Sequence, residues 1–145
     1  MKIIDPAIFC KMHETIRKCE FPDVAVQSFL GGNHCRGPLE VAHLQRRSQG
    51  RIDFLSVMLC RRHHAIYDGT DRSDDRPNEA DVLVMLSRRF QCWPDDVLAA
   101  LQWINAAPKK FRTAPEIWAD EFEAEMQGLP AGAARLCREA LGVRS

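Results

Sequence analysis

Cys35, His43, Cys60, His63, His64 and Asp68 gather two thiols, three imidazoles and a carboxylate into about a quarter of the chain. Four of its five histidines lie between positions 34 and 64. A hydrophobic core does not require that clustering, whereas a metal site on a nucleic-acid-binding surface accounts for it. His64 and Asp68 are four residues apart; on a helix that spacing brings both side chains to one face, within reach of one ion. An imidazole with a carboxylate suits Mg²⁺, Mn²⁺, Ni²⁺ or Zn²⁺ and does not choose among them. His43, on a strand facing that helix, could take a proton from an attacking water. The ion would stabilise the charge developing on a phosphodiester. Arg46, Arg47, Arg51, Arg61 and Arg62 could neutralise neighbouring phosphates. The expectation is a metal-dependent phosphodiesterase acting on nucleic acid.

The elements that must position these residues follow from periodicity and turn chemistry. Gly37-Pro38 reads as a turn, and Leu39, Val41 and Ala42 suit a short strand. The arginine-rich segment 45–53 reads as a loop and 54–59 as a second strand. Residues 60–67 suit a helix that Gly69 ends as a C-cap. Upstream, Asp5-Pro6 is a helix start, a capping carboxylate before a proline at the first helical position. A helix over 6 to about 19 follows, with Ile8, Phe9, Met12 and Ile16 near one face. Residues 70–77 are polar and read as a linker. Helices are expected over 78–90, with Asn78 as cap, then 94–106, 116–127 and 131–141. Thr113 and Glu116 form a capping-box-like start to the third of these. The fold class expected is α+β and mostly helical, with a strand–loop–strand–helix module and a helical C-terminal extension at 78–145.

At 145 residues one domain is the expectation. Formal net charge is zero, but unevenly spread. Six arginines against Glu40 and Asp53 leave +4 over 36–62, and five acidic residues leave −5 over 113–127. A basic patch thus covers the histidine cluster, and an acidic helix near the end could dock a basic protein partner. The start has no apolar run typical of a secretory signal, and no stretch is long enough to span a bilayer. The six cysteines are scattered, unlike a disulfide scaffold, so free thiols in a reducing cytosol are expected.

The segment Ala42-His43-Leu-Gln-Arg-Arg-Ser-Gln-Gly50, a short strand, then Leu59-Cys60-Arg-Arg-His63-His64 and Asp68-Gly69 resembles the HNH endonuclease (ββα-metal) superfamily. The likeness is to its small phage and prophage members and covers about 33–69. The resemblance implies two strands and a helix around one divalent cation, DNA as substrate and a bacterial host cytosol as location. It places His43 on the general-base histidine, His64 on the helix metal ligand and Asp68 on the last ligand. Cys60 and His63 fall on half of a structural zinc site, with Cys35 in the other half. Three features depart from the pattern. Ala42 stands where many members have a metal-binding Asp or His. Leu55 and Ser56 occupy the region of the middle asparagine, with Ser56 a weak substitute. Gly32 stands where Cys35 should have a partner cysteine, so His34 or Cys19 must supply a fourth zinc ligand if zinc is bound.

Plainer readings stand beside these. A strand histidine is most often hydrogen-bonded and half-buried, Asp68-Gly69 alone is a turn, and an arginine loop is a solvated face. Cys35 has equal claims as zinc ligand and small buried residue; Cys10, Cys19, Cys92 and Cys137 read as core or idle thiols. The stretch 83–104, with Arg88 and Arg89 near its turn, has the flavour of a DNA-reading helix–turn–helix but reads more simply as a helical hairpin. Trp93, Trp103 and Trp118 are expected to pack between helices. The departures also suit a rival function: a catalytically inactive HNH-like module acting as a phage regulator, counter-defence protein or assembly factor. Oligomeric state stays open.

Overall fold

The structure, a computed structural model, describes residues 1–21, 35–43, 52–68 and 79–142. It is mostly helical with one small sheet, as the composition and periodicity led us to expect. Among the described residues there are seven helices and a two-stranded antiparallel sheet. In chain order the elements are α1 (Ala7–Thr15), β1 (Leu39–His43), a 3₁₀ turn (Asp53–Leu55), β2 (Ser56–Cys60), α2 (Arg61–Asp68), α3 (Glu79–Phe90), α4 (Pro94–Ala106), α5 (Lys110–Thr113), α6 (Ala119–Gln127) and α7 (Ala131–Leu141).

The register pairs Leu39 with Cys60 and His43 with Ser56. All five residues of β2 are buried, because β1, α2 and α3 pack around it. Glu20 adds to its outer edge: the Glu20 amide donates to Met58 O at 2.9 Å, and the Met58 amide donates to Glu20 Oε1 at 2.8 Å. One apolar cluster joins the strands to the C-terminal helices, from Ile3 through Leu59, Leu86 and Ile104 to Leu136.

Several boundaries differ from expectation. α1 ends at Thr15, four residues early, because Ile16 turns extended (φ −104°, ψ 105°) and the chain runs on to pair with β2. Its first turn is closed by the Asp5 carbonyl, which accepts from the Ile8 amide, rather than by the Asp5 carboxylate. Residues 53–55 coil into a 3₁₀ turn, so β2 starts at Ser56 instead of 54. The acidic helix starts at Ala119, since Thr113 ends the short α5 and its hydroxyl donates to Lys109 O instead of capping. Trp103 packs on Phe111 and Phe122 as expected. Trp93 does not pack between helices: 77% of it is exposed. Arg46, Arg47, Arg51, His34, Gly69, Asn78 and the 70–77 linker lie outside the described residues.

Candidate metal centre and histidine site

The turn before β1 sets the first constellation. Gly37 has φ +83° and lies against Arg61, where a Cβ would come within 2.8 Å of the Arg61 Cβ; only glycine takes that conformation and space without strain. This turn sends the Arg36 and Pro38 carbonyls over the start of α2, where they accept from the Arg62 and Arg61 amides at 3.1 and 3.0 Å. The next amide, of His63, donates to Cys60 Sγ at 3.4 Å. The open amides of a helix start are thereby satisfied, and Cys35 is carried to the same place as Cys60 and His63.

Cys19 completes the group. The Nδ1 of His63 faces three sulfurs, at 3.1 Å from Cys60, 3.4 Å from Cys19 and 3.7 Å from Cys35. The four candidate ligand atoms all lie within 4.8 Å of one another. Around tetrahedral zinc, S···N edges are about 3.5 Å and S···S edges about 3.8 Å. The S···N distances of 3.1, 3.4 and 3.7 Å bracket the first figure, and the widest separation, up to 4.8 Å, would close by about 1 Å around such an ion. His63 is fully buried, with the Phe21 ring 4.6 Å from its own. Three cysteines and one histidine form a donor set that fits a closed structural zinc.

The thiols respond differently to this crowding. Burial pushes Cys19 up to about 12. Burial and the adjacent Cys60 raise Cys35. Burial acts to raise Cys60 as well, but amide and thiol hydrogen bonds to its sulfur, led by the His63 and Arg36 amides, bring it below the ordinary thiol value. Cys60 is thus the sulfur best prepared to be a thiolate.

A second constellation lies on α2, one residue further on. His64 Nε2 is 3.1 Å from Asp68 Oδ2, and His64 Nδ1 is 3.1 Å from Glu40 Oε1. Both are hydrogen-bond distances, and 3.1 Å also matches the N···O edge of about 3 Å between adjacent ligands of an octahedral ion with bonds of about 2.1 Å. The pair has that spacing, and Glu40 on the other ring nitrogen is the outer carboxylate that commonly orients a ligating histidine. The His64 hydrogen bond, followed by the Arg61 pair, holds the Glu40 carboxyl below the usual range.

His43 forms a third group. Its Nδ1 is 3.0 Å from Ser56 Oγ and 3.8 Å from Asp53 Oδ1, and Phe9 lies 5.7 Å from the ring. Asp53 and Ser56 are both fully buried, and Asp53 Oδ2 accepts from the Asp5 amide at 2.7 Å. Ser56 and Asp53 thus hold the imidazole from the neighbouring strand and the turn before it. Strand alternation puts His43 on the face of β1 opposite to Glu40 and about 10 Å further along it. The structure therefore joins His64 to Asp68, and Cys35 to Cys60 and His63, but groups His43 with different partners. Ala42 is fully buried and brings no ligand.

Arg61 pairs with Glu40 at 3.3 Å, and Arg62 Nη1 lies 3.5 Å from His63 Nε2. The acidic helix finds partners within the chain: Glu121 with Lys110, Glu123 with Arg138, and Glu125 with the Trp103 indole. Sequence reasoning passed over Glu40 and Asp53 as site residues. The available signal was that they are the only two acidic residues in the basic 36–62 stretch. No helix among the described residues is long and apolar enough to cross a membrane. No protein-family model, curated protein or solved structure matches the chain.

Proposed function

We propose that this protein is an HNH-type, metal-dependent DNA endonuclease of the ββα-metal kind, acting in the cytosol of a bacterial host. The observation that carries the reading is the His64–Asp68 pair at 3.1 Å with Glu40 on the second ring nitrogen. It lies on a helix that follows two antiparallel strands and is anchored at its start by the Cys₃His cluster. In this reading the imidazole of His43, beside Ser56 Oγ at Nδ1, takes a proton from the attacking water. The buried Asp53 lies 3.8 Å from the Nδ1 of the same ring. The water oxygen then attacks phosphorus, the bond from phosphorus to the leaving sugar oxygen breaks, and that oxygen takes a proton from solvent water. A divalent ion bound at His64 and Asp68 would supply charge stabilisation for the phosphate oxygens. Arg61 and Arg62, with Arg46, Arg47 and Arg51 of the same stretch, would contribute positive charge to binding.

Two observations favour a second reading. The buried Ala42 and the opposite-face placement of His43 suit an HNH-like module that binds without cutting. Nicking of supercoiled plasmid with Mg²⁺, Mn²⁺ or Ni²⁺ separates the two. The endonuclease reading expects cleavage that falls by about 10²–10⁴-fold in His43→Ala. Absence of nicking with every metal, or nicking untouched by His43→Ala, would reject it.

A further inference from the structure

Two carboxylates approach opposite nitrogens of the His64 ring at the same distance: Asp68 Oδ2 is 3.1 Å from Nε2 and Glu40 Oε1 is 3.1 Å from Nδ1. By distance alone a divalent ion can take either side. A neutral imidazole has one N–H and one lone pair. An ion on one nitrogen therefore leaves the N–H on the other. Which carboxylate ligates the ion and which one holds the N–H is a single choice.

Two observations decide it. Arg61 Nε donates to Glu40 Oε2 at 3.3 Å. A guanidinium charge thus stands on the Glu40 side, where a divalent cation would meet like charge. The two sides also differ in openness: the Asp68 side chain is 54% exposed and that of Glu40 33%. Ions such as Mg²⁺ keep several of their waters, so the open side suits them better.

The framework fixes this arrangement. Glu40 pairs with Leu59 across the sheet. The Pro38 carbonyl, two residues before it, accepts from the Arg61 amide at 3.0 Å. The strand that carries Glu40 and the helix that carries Arg61, His64 and Asp68 are therefore tied at one end, beside the Cys₃His cluster.

We propose that Glu40 is a positioning residue of the divalent-ion site: it holds the Nδ1–H of His64 and, with Arg61 on its other oxygen, directs the ion to Nε2 and Asp68. The inference rests on the metal site of the endonuclease reading, and not on what the bound ion does to a phosphodiester. Arg61, expected from sequence to neutralise phosphate, here also sets the charge of the Glu40 side.

The test uses the full zinc-loaded chain with Mn²⁺ as the probe, free Mn²⁺ being read by electron paramagnetic resonance. Glu40→Ala should bind Mn²⁺ about 10–100-fold more weakly. Glu40→Gln, whose amide oxygen still accepts the Nδ1–H, should recover most of that loss. Asp68→Ala removes a ligand and should bind more weakly than either. Circular dichroism and zinc content should match the parent in both Glu40 variants, which a merely structural role would not allow. A second measurement needs no Glu40 variant: ¹⁵N NMR of the parent with Zn²⁺ beyond the structural equivalent should show His64 metallated at Nε2 and protonated at Nδ1. Its signals are assigned by their loss in His64→Gln. Parent-like affinity in folded Glu40→Ala, metallation at Nδ1, or no Mn²⁺ binding by the parent overturns the proposal. A loss in Glu40→Ala as complete as in Asp68→Ala, without recovery in Glu40→Gln, makes Glu40 a ligand and overturns it as well. The expected order of affinities beside a plasmid that is never nicked retains Glu40 and rejects the endonuclease. Nicking that depends on His43, with Mn²⁺ affinity indifferent to Glu40, does the reverse.

Discussion

Cys19 Sγ lies 3.4 Å from His63 Nδ1 across 44 residues of chain. Cys35 and Cys60 share that nitrogen, so the segment after α1, the turn before β1 and the start of α2 meet at one point. Three sulfurs this close cannot all ionise without a cation between them. A bound zinc would resolve that conflict and join segments that are otherwise distant in sequence.

The protein should therefore purify with about one equivalent of zinc. Cys19→Ser, Cys35→Ser and His63→Ala should each lose most of it, while the exposed Cys10→Ser keeps it. Because zinc binding to a folded site is folding free energy, chelation should lower the melting temperature by more than about 10 °C. Atomic absorption with thermal denaturation provides the check. Full zinc content in Cys19→Ser would remove Cys19 from the site.

Cys35, Cys60 and His63 came forward as zinc ligands through the HNH resemblance, which the local Cys60-x-x-His63 spacing carries. Cys19 was named only as one of two candidates, with His34, for the fourth ligand, because the helical periodicity of α1 runs through it. The helix ends at Thr15 for a tertiary reason, pairing of Glu20 with the edge of β2, and no local pattern encodes that. The β-strands and most C-terminal helices were legible from apolar runs and caps. α5 was not, being four residues with no periodicity to detect. Glu40 showed the same limit: its value comes from facing α2, and strand alternation alone does not reveal what lies opposite.

Gly37→Ala should destabilise the fold by about 1–3 kcal/mol, from a positive φ that alanine resists and a Cβ at 2.8 Å from Arg61 Cβ. The strain falls on the turn that carries Cys35, so zinc should also bind more weakly. Chemical denaturation with and without chelator distinguishes the two effects. If the loss were equal in both, the turn would be shaping the backbone without influencing the site.

Arg89 donates to both oxygens of Glu20 and to the Ser56 carbonyl. Arg89→Ala leaves a partly buried carboxylate and a carbonyl at the edge of β2 without that donor. The expected cost is about 2 kcal/mol. Arg89→Lys should restore little, since an ammonium cannot reproduce the planar fork. The histidine resonances of His43 should shift in the NMR spectrum of both variants, because Ser56 links the two side chains. A spectrum in which His43 does not move would break that connection.

Cys137 offers a test of stability away from both centres. It is fully buried between α7 and α4, with Ala100 O 4.0 Å from its sulfur. Burial pushes its thiol from 9.0 up to about 12. A folded-state pKa above the unfolded one means that the folded protein binds the extra proton, so this contribution is complete below pH 9. It is lost as pH rises from 9 towards 12, at up to about 1.4 kcal/mol per pH unit. Cys137→Ala should cost a constant amount from the smaller side chain, about 1 kcal/mol, and show a shallower alkaline decline than the parent. Urea denaturation at intervals from pH 8 to the highest pH at which both proteins refold, within the 9-to-12 window, gives the two slopes. Parallel slopes would show that the alkaline loss arises from other groups.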